Sequence, residues 1–102
     1  GYQSEISDIR SGGIYDIGVG WMNPIDEETK INEFLDRTGT FFKPMAWNQI
    51  RVACEGSRIR TWINGQLCSD FEDDKHKHGT IGLQHHAKEG VYRFRNLRIR
   101  EI

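Results

Sequence analysis

The sequence predicts an all-β protein, an antiparallel sandwich within a single domain spanning residues 1–102, and three observations carry that reading. Ile50, Val52 and Cys54 alternate with Gln49, Arg51 and Ala53, and beyond Gly56-Ser57 the residues Ile59, Thr61 and Ile63 alternate with Arg58, Arg60 and Trp62. A period of two is what a strand with two unlike faces requires. Asn64-Gly65 then supplies two positive-φ residues, the composition of a type I′ turn, which matches the twist of antiparallel strands. Eleven glycines stand in 102 residues, against roughly seven at average usage, which marks a turn-rich chain.

Taken in order, Tyr2–Ser7 and Gly13–Gly18 read as short strands bounded by Gly or charged turns. Asn23-Pro24 opens either a helix or a long excursion between strands. The helix reading rests on Asp26, Glu27 and Glu28 in the first turn and on Ile31, Phe34 and Leu35 along one face. Trp47–Phe71 is a three-stranded meander turning at Gly56-Ser57 and Asn64-Gly65. Thr80–His85 and Val91–Ile102 are further strands. Cys54 and Cys68 then lie on the outer strands of the meander. At about 4.8 Å per strand they are roughly 9–10 Å apart, beyond the ~7 Å reach of a disulfide. Both are expected to be free thiols that act as small apolar residues on a buried face.

Composition removes several function classes. Fourteen Lys and Arg against fifteen Asp and Glu leave a net charge of −1, without the basic excess of a nucleic-acid binder. Arg93, Arg95, Arg98 and Arg100 cluster, but their mixed parity splits them between strand faces and Glu89 and Glu101 flank them. No apolar run approaches the ~18 residues of a membrane helix, and no basic-then-apolar leader follows Gly1. The expectation is a chain that binds neither nucleic acid nor membrane.

The order of short motifs is distinctive. W-N-x-I stands at Trp47–Ile50, G-x-x-I-x-x-W-I-N-G at Gly56–Gly65, G-x-I-G-L-Q-x-H at Gly79–His86 and F-R-N-L-R-I-R-E at Phe94–Glu101. Y-Q-S-E-I-S-D at Tyr2–Asp8 and G-G-I-Y-D at Gly12–Asp16 precede them. This series resembles the bacterial 3-keto-disaccharide hydrolase domain over nearly the whole chain. G-L-Q-x-H joined to F-R-N-L-R-I is its most specific part, because W-I-N-G is shared by many sandwich proteins. The resemblance implies a jelly roll of the concanavalin A-like lectin/glucanase type and a periplasmic or secreted setting. Two departures stand out: His85 replaces the family's usual Asp between Gln and His, and Glu and Gln are exchanged at Gln3 and Glu5. Relatives carry strands ahead of the Tyr2–Asp8 segment. The chain is therefore the closing part of a domain, or shares its sandwich with a second chain or a second copy, or closes a reduced sandwich by itself.

Gln3, Glu5 and Ser7 share one strand face, and in a curved sheet Glu5, Asp8, Gln84 and His86 converge. Amide and carboxylate groups hydrogen-bond sugar hydroxyls, Trp62 or Trp47 offers an apolar face to a pyranose ring, and Tyr15 joins the substrate-binding set. The resemblance implies a glycoside oxidised at C3 as substrate, with Glu5 or His86 as the base that removes the acidified C2 proton. It also admits a divalent metal ion on the ketone, for which His, Glu and Asp are suitable ligands. Each of these has a plainer counterpart. Gln3 and Glu5 suit a solvated face, His86 a strand end, Trp62 hairpin packing, His76 and His78 a charged loop, and Arg95 and Asn96 a structural last strand. Three functions compete on these residues: an enzyme acting on 3-keto-glycosides, a lectin-like module that binds glycan without chemistry, and a structural or interaction sandwich.

Overall fold

The strands predicted around Gly56-Ser57 and Asn64-Gly65 are present in the computed structural model of the chain, which describes residues 2–4, 11–16, 20–73 and 93–100. These residues form two antiparallel sheets and one helix. The first sheet joins β1 (Tyr2–Ser4), β2 (Ile14–Asp16) and β3 (Gly20–Asn23) in that order. The second joins β4 (Ile50–Glu55), β5 (Arg58–Ile63) and β6 (Gln66–Glu72), with helix α1 (Glu28–Thr38) between the sheets in sequence. The described residues thus form an all-β sandwich with a single helical excursion.

The meander follows from its turns. Asn64 and Gly65 adopt φ 52° and 80°, both positive as a type I′ turn demands. Gly56 at φ 60° makes the other turn, so Ile50 pairs with Ile63, Arg51 with Trp62 and Cys54 with Ile59. One irregularity decides the interior. The β5–β6 register shifts between Thr61 and Trp62, so that Thr61 faces Ser69 while Trp62 faces Leu67. The extra residue is a β-bulge, and it lets two successive residues, Cys68 and Ser69, both be fully buried.

That bulge meets the turn between β1 and β2. Gly12, at φ 84°, lies so close that an added Cβ would stand 2.5 Å from Cys68 Cβ. Its carbonyl accepts hydrogen bonds from Thr61 Oγ1 (2.6 Å) and Ser69 Oγ (2.7 Å). Thr61 Oγ1 in turn accepts from Ser69 N–H at 3.1 Å, and Asn23 Nδ2 donates to Ser69 Oγ at 3.0 Å. The sheets are therefore joined by a buried polar seam in which each described hydroxyl has a partner, as burial requires. Beside it, Phe34 of α1 packs on Ile63 and Cys68, with Phe41 and Phe42 at the edge. Arg37 donates to the Leu67 and Cys68 carbonyls, tying the helix to β6.

Several expectations change. The helix forms, but it starts at Glu28 rather than at Asn23-Pro24, because Asn23 belongs to β3 and its amide is used by Ser69. Phe34 is its buried contact and Ile31 and Leu35 are half-buried. Both cysteines are free, yet Cys54 is exposed and only Cys68 is buried. Cys54 shares its face with Ile50 and Val52, which are 39% and 48% exposed. The apolar alternation of β4 thus continues past the part of the sheet that the described residues cover. Residues 93–100 carry no strand: Asn96 turns to φ 55°, and Phe94, Leu97 and Ile99 are 47%, 68% and 77% exposed. Among the described residues no ladder pairs with this segment, and alternation alone does not make a strand. β3 was not anticipated, since four residues between Gly20 and Pro24 show too little periodicity to read. Of Tyr2–Ser7 and Gly13–Gly18 the described parts are β1 and β2, and Thr80–His85 lies outside the described residues.

Candidate functional site

The face of the β4–β6 sheet opposite the polar seam carries a ladder of charged groups around one indole. Register places Arg51 directly across from Trp62, and Arg60 two residues before it on the same strand. Both guanidinium carbons lie over the Trp62 ring, at 4.5 Å for Arg51 and 5.2 Å for Arg60, within the range of a cation–π contact. Further along, Arg58 holds Asp70 in a two-pronged fork of 2.8 and 2.6 Å, and Arg60 pairs with Glu55 at 3.6 Å. The hydrogen bond from Arg58 is the main cause holding the Asp70 carboxyl below its ordinary range. Gln49, Arg51, Trp62 and Gly65 line a surface recess of about 250 Å³.

The end of this recess is anchored by two asparagines. Asn64 N–H donates to Gln49 O at 2.8 Å, and Asn64 Oδ1 accepts from Gln49 N–H at 2.9 Å. Its Nδ2 donates to Phe41 O (2.7 Å) and Asn48 Oδ1 (2.9 Å). Asn48 also accepts from Lys43 N–H at 2.8 Å and donates to Lys43 O and Ala46 O at 2.7 and 3.0 Å. The two short motifs W-N and N-G therefore close on each other. Together they pin the loop from Phe41 to Asn48 against the β5–β6 turn, and Trp47 stands out from that loop under the Arg95 guanidinium at 3.9 Å.

A second recess of about 340 Å³ lies by α1 and includes Pro24, Ile25, Lys30, Glu33 and Arg37. Its charges are engaged, Lys30 with Glu33 at 3.6 Å and Arg37 with the β6 carbonyls.

The structure sorts the residues singled out from sequence. Gln3 and Tyr15 are cross-strand partners in the first sheet, and Tyr15 also aligns with Trp21, whose ring it meets edge-on at 5.5 Å. Trp62 stands in the second sheet. Tyr15 alternates with the buried Ile14 and Asp16, as Trp62 does with Thr61 and Ile63, so the two aromatics are not brought to one place. Glu5, Asp8, Gln84 and His86, as well as His76 and His78, lie outside the described residues. Among the described residues no three His, Cys, Asp or Glu side chains are grouped to hold a metal ion. Arg51 and Gln49 were not singled out. A signal for them existed: the turn at Gly56-Ser57 alone sets the register that puts Arg51 opposite Trp62.

A family model for the 3-keto-alpha-glucoside-1,2-lyase-like domain matches residues 1–100. The chain belongs to that family. Its G-L-Q-x-H and F-R-N-L-R-I segments fall inside the matched range, as do the asparagine clamp and the Arg51–Trp62 pair. For this 3-keto-alpha-glucoside-1,2-lyase-like domain, a comparison with curated proteins gave no match. The family supports a carbohydrate-related role.

Proposed function

We propose that this domain acts on 3-keto-glycosides by base-assisted elimination followed by addition of water. The observation that carries the reading is the family match over residues 1–100. A ketone at C3 acidifies the C2 proton. A base removes it, the electron pair forms the C1–C2 double bond, and the C1 substituent leaves with the bonding pair. Water then adds across that bond. Glu5 or His86 is the base we assign, because a carboxylate or imidazole tuned near neutrality suits proton abstraction. Gln3, Asp8, Tyr15 and Gln84 are assigned to substrate binding; Trp62, in the other sheet and beneath two guanidinium groups, is left out of this set. The direct test is release of the leaving group from a 3-keto-glucoside. Glu5→Gln or His86→Ala is expected to lower the rate by about 10²–10⁴-fold while circular dichroism is unchanged. Turnover that survives in both variants overturns the assignment.

One observation favours a second reading, a module that binds glycan without converting it. The recess at Gln49, Arg51, Trp62 and Gly65 offers an amide, a guanidinium and an indole, which recognise sugars, and no general base. Glycan binding by a chain that gives no product identifies this second function.

A further inference from the structure

We infer that the outer face of β4 and β5 is a subsite for carboxylate-bearing oligosaccharides, uronic acid chains, with the carboxylate gripped by Arg51. The sugar part of this inference rests on the carbohydrate reading above; the anion part rests on the arginines themselves. Three arginines share this face, and two are neutralised: Arg58 by Asp70 and Arg60 by Glu55. Arg51 is exposed and has no acidic partner among the described residues; its contact is the Trp62 ring at 4.5 Å. A guanidinium over an indole keeps its N–H donors free at its edge, in the fork geometry that a carboxylate matches with two hydrogen bonds.

The same geometry weighs against a neutral sugar. Both Arg51 and Arg60 already lie over Trp62, so a pyranose that stacked on the indole would first have to displace a guanidinium. A uronate needs no such displacement, because it bonds to Arg51 where the side chain stands and fills the recess beside Gln49 and Gly65. A repeat of the motif extends the surface. Trp47 is half exposed, carries Arg95 at 3.9 Å and lies two residues before Gln49, so its Cα is at most about 7 Å from that of Gln49. Arg95 likewise has no acidic partner among the described residues. The asparagine clamp holds Trp47 in place before any ligand arrives, which lowers the ordering cost of binding. Two arginine-on-tryptophan units on one anchored stretch of chain suit a ligand with a repeating carboxylate.

Calorimetric titration of the intact chain with trigalacturonate and with maltotriose tests this. Trigalacturonate is expected to bind at least about tenfold more tightly than maltotriose, and Arg51→Ala to remove about that factor. Raising salt to about 0.5 M should weaken trigalacturonate binding, while Lys30→Ala, on helix α1 beside Glu33, should leave it as it was. Equal affinity for the two trisaccharides, or an Arg51→Ala variant that binds like the parent, overturns the inference, as does absence of trigalacturonate binding. Turnover of a 3-keto-glucoside keeps the two ideas separate. A chain that converts the ketosugar yet ignores trigalacturonate loses this subsite and keeps its function; one that binds trigalacturonate without conversion keeps the subsite and loses the enzyme reading.

Discussion

The two faces of the β4–β6 sheet are made from the same strands and do opposite things. Inward, Thr61, Ile63, Cys68 and Ser69 are all at or below 1% exposure, and the two hydroxyls converge on the Gly12 carbonyl. Outward, at the very next positions, Arg60 and Trp62 are half-buried, and Arg51 and Asp70 are exposed. Over β5 and β6 the inner face is filled, and only its β4 positions Ile50 and Val52 stay 39% and 48% exposed; the outer face has room and, at Arg51, a guanidinium with no acidic partner among the described residues. Substitutions should therefore divide sharply, stability being lost on one side and ligand affinity on the other.

The largest effect expected on the inner face is at Gly12. An alanine there must take a positive φ of 84° and place its Cβ 2.5 Å from Cys68 Cβ and 2.7 Å from its sulfur. Left-handed strain and overpacking together should cost about 2–5 kcal/mol, read as a lower urea midpoint with the slope unchanged. A loss under about 1 kcal/mol would mean that the turn and the bulge are not in contact. Thr61→Val comes next. It keeps the shape, removes the donor to Gly12 O and leaves Ser69 N–H without its 3.1 Å acceptor, for an expected loss of about 1–3 kcal/mol. The cysteines divide the inner face itself, Cys54 at its exposed β4 edge and Cys68 in its filled part. Burial pushes the Cys68 thiol above its ordinary pKa, so a thiol reagent at pH 8 should label Cys54 in the folded chain and reach Cys68 only on unfolding. Equal rates at both would show the interior around Cys68 to be open.

How much of this was legible in the sequence depends on how local each cause is. Asn64-Gly65 and the alternation around it specify the meander, because turn type and period two act over a few residues. The register that sets Arg51 against Trp62 follows from the Gly56-Ser57 turn by counting alone. The bulge does not, since a one-residue slip between Thr61 and Trp62 answers to packing against Gly12, some fifty residues away. For the same reason Cys54 and Cys68, alike in sequence, part company in exposure. Phe94 to Arg100 shows the converse. Its apolar residues read as a strand, but a strand needs a neighbour's hydrogen bonds, and among the described residues none pairs with it. The clamp between Asn48 and Asn64 joins two motifs that each look sufficient alone, one as a strand entrance and the other as a turn.

The smallest effect expected concerns Arg58 and Asp70 on the outer face. Arg58's hydrogen bond lowers the Asp70 pKa below its ordinary value; the charges of Arg58 and Arg60 act the same way, and desolvation opposes them. A carboxyl with a lowered folded-state pKa stabilises the fold at every pH above its unfolded value, about 3.9. That contribution fades as pH falls through the folded value. The fork is solvent-exposed, with side chains 47% and 37% accessible, so screening keeps it small. Urea midpoints of the parent and of Asp70→Asn should differ slightly at pH 7 and converge toward pH 3. A gap that stays constant over that range would place the residue's contribution in packing rather than charge, and would blur the division between the two faces on which the binding inference depends.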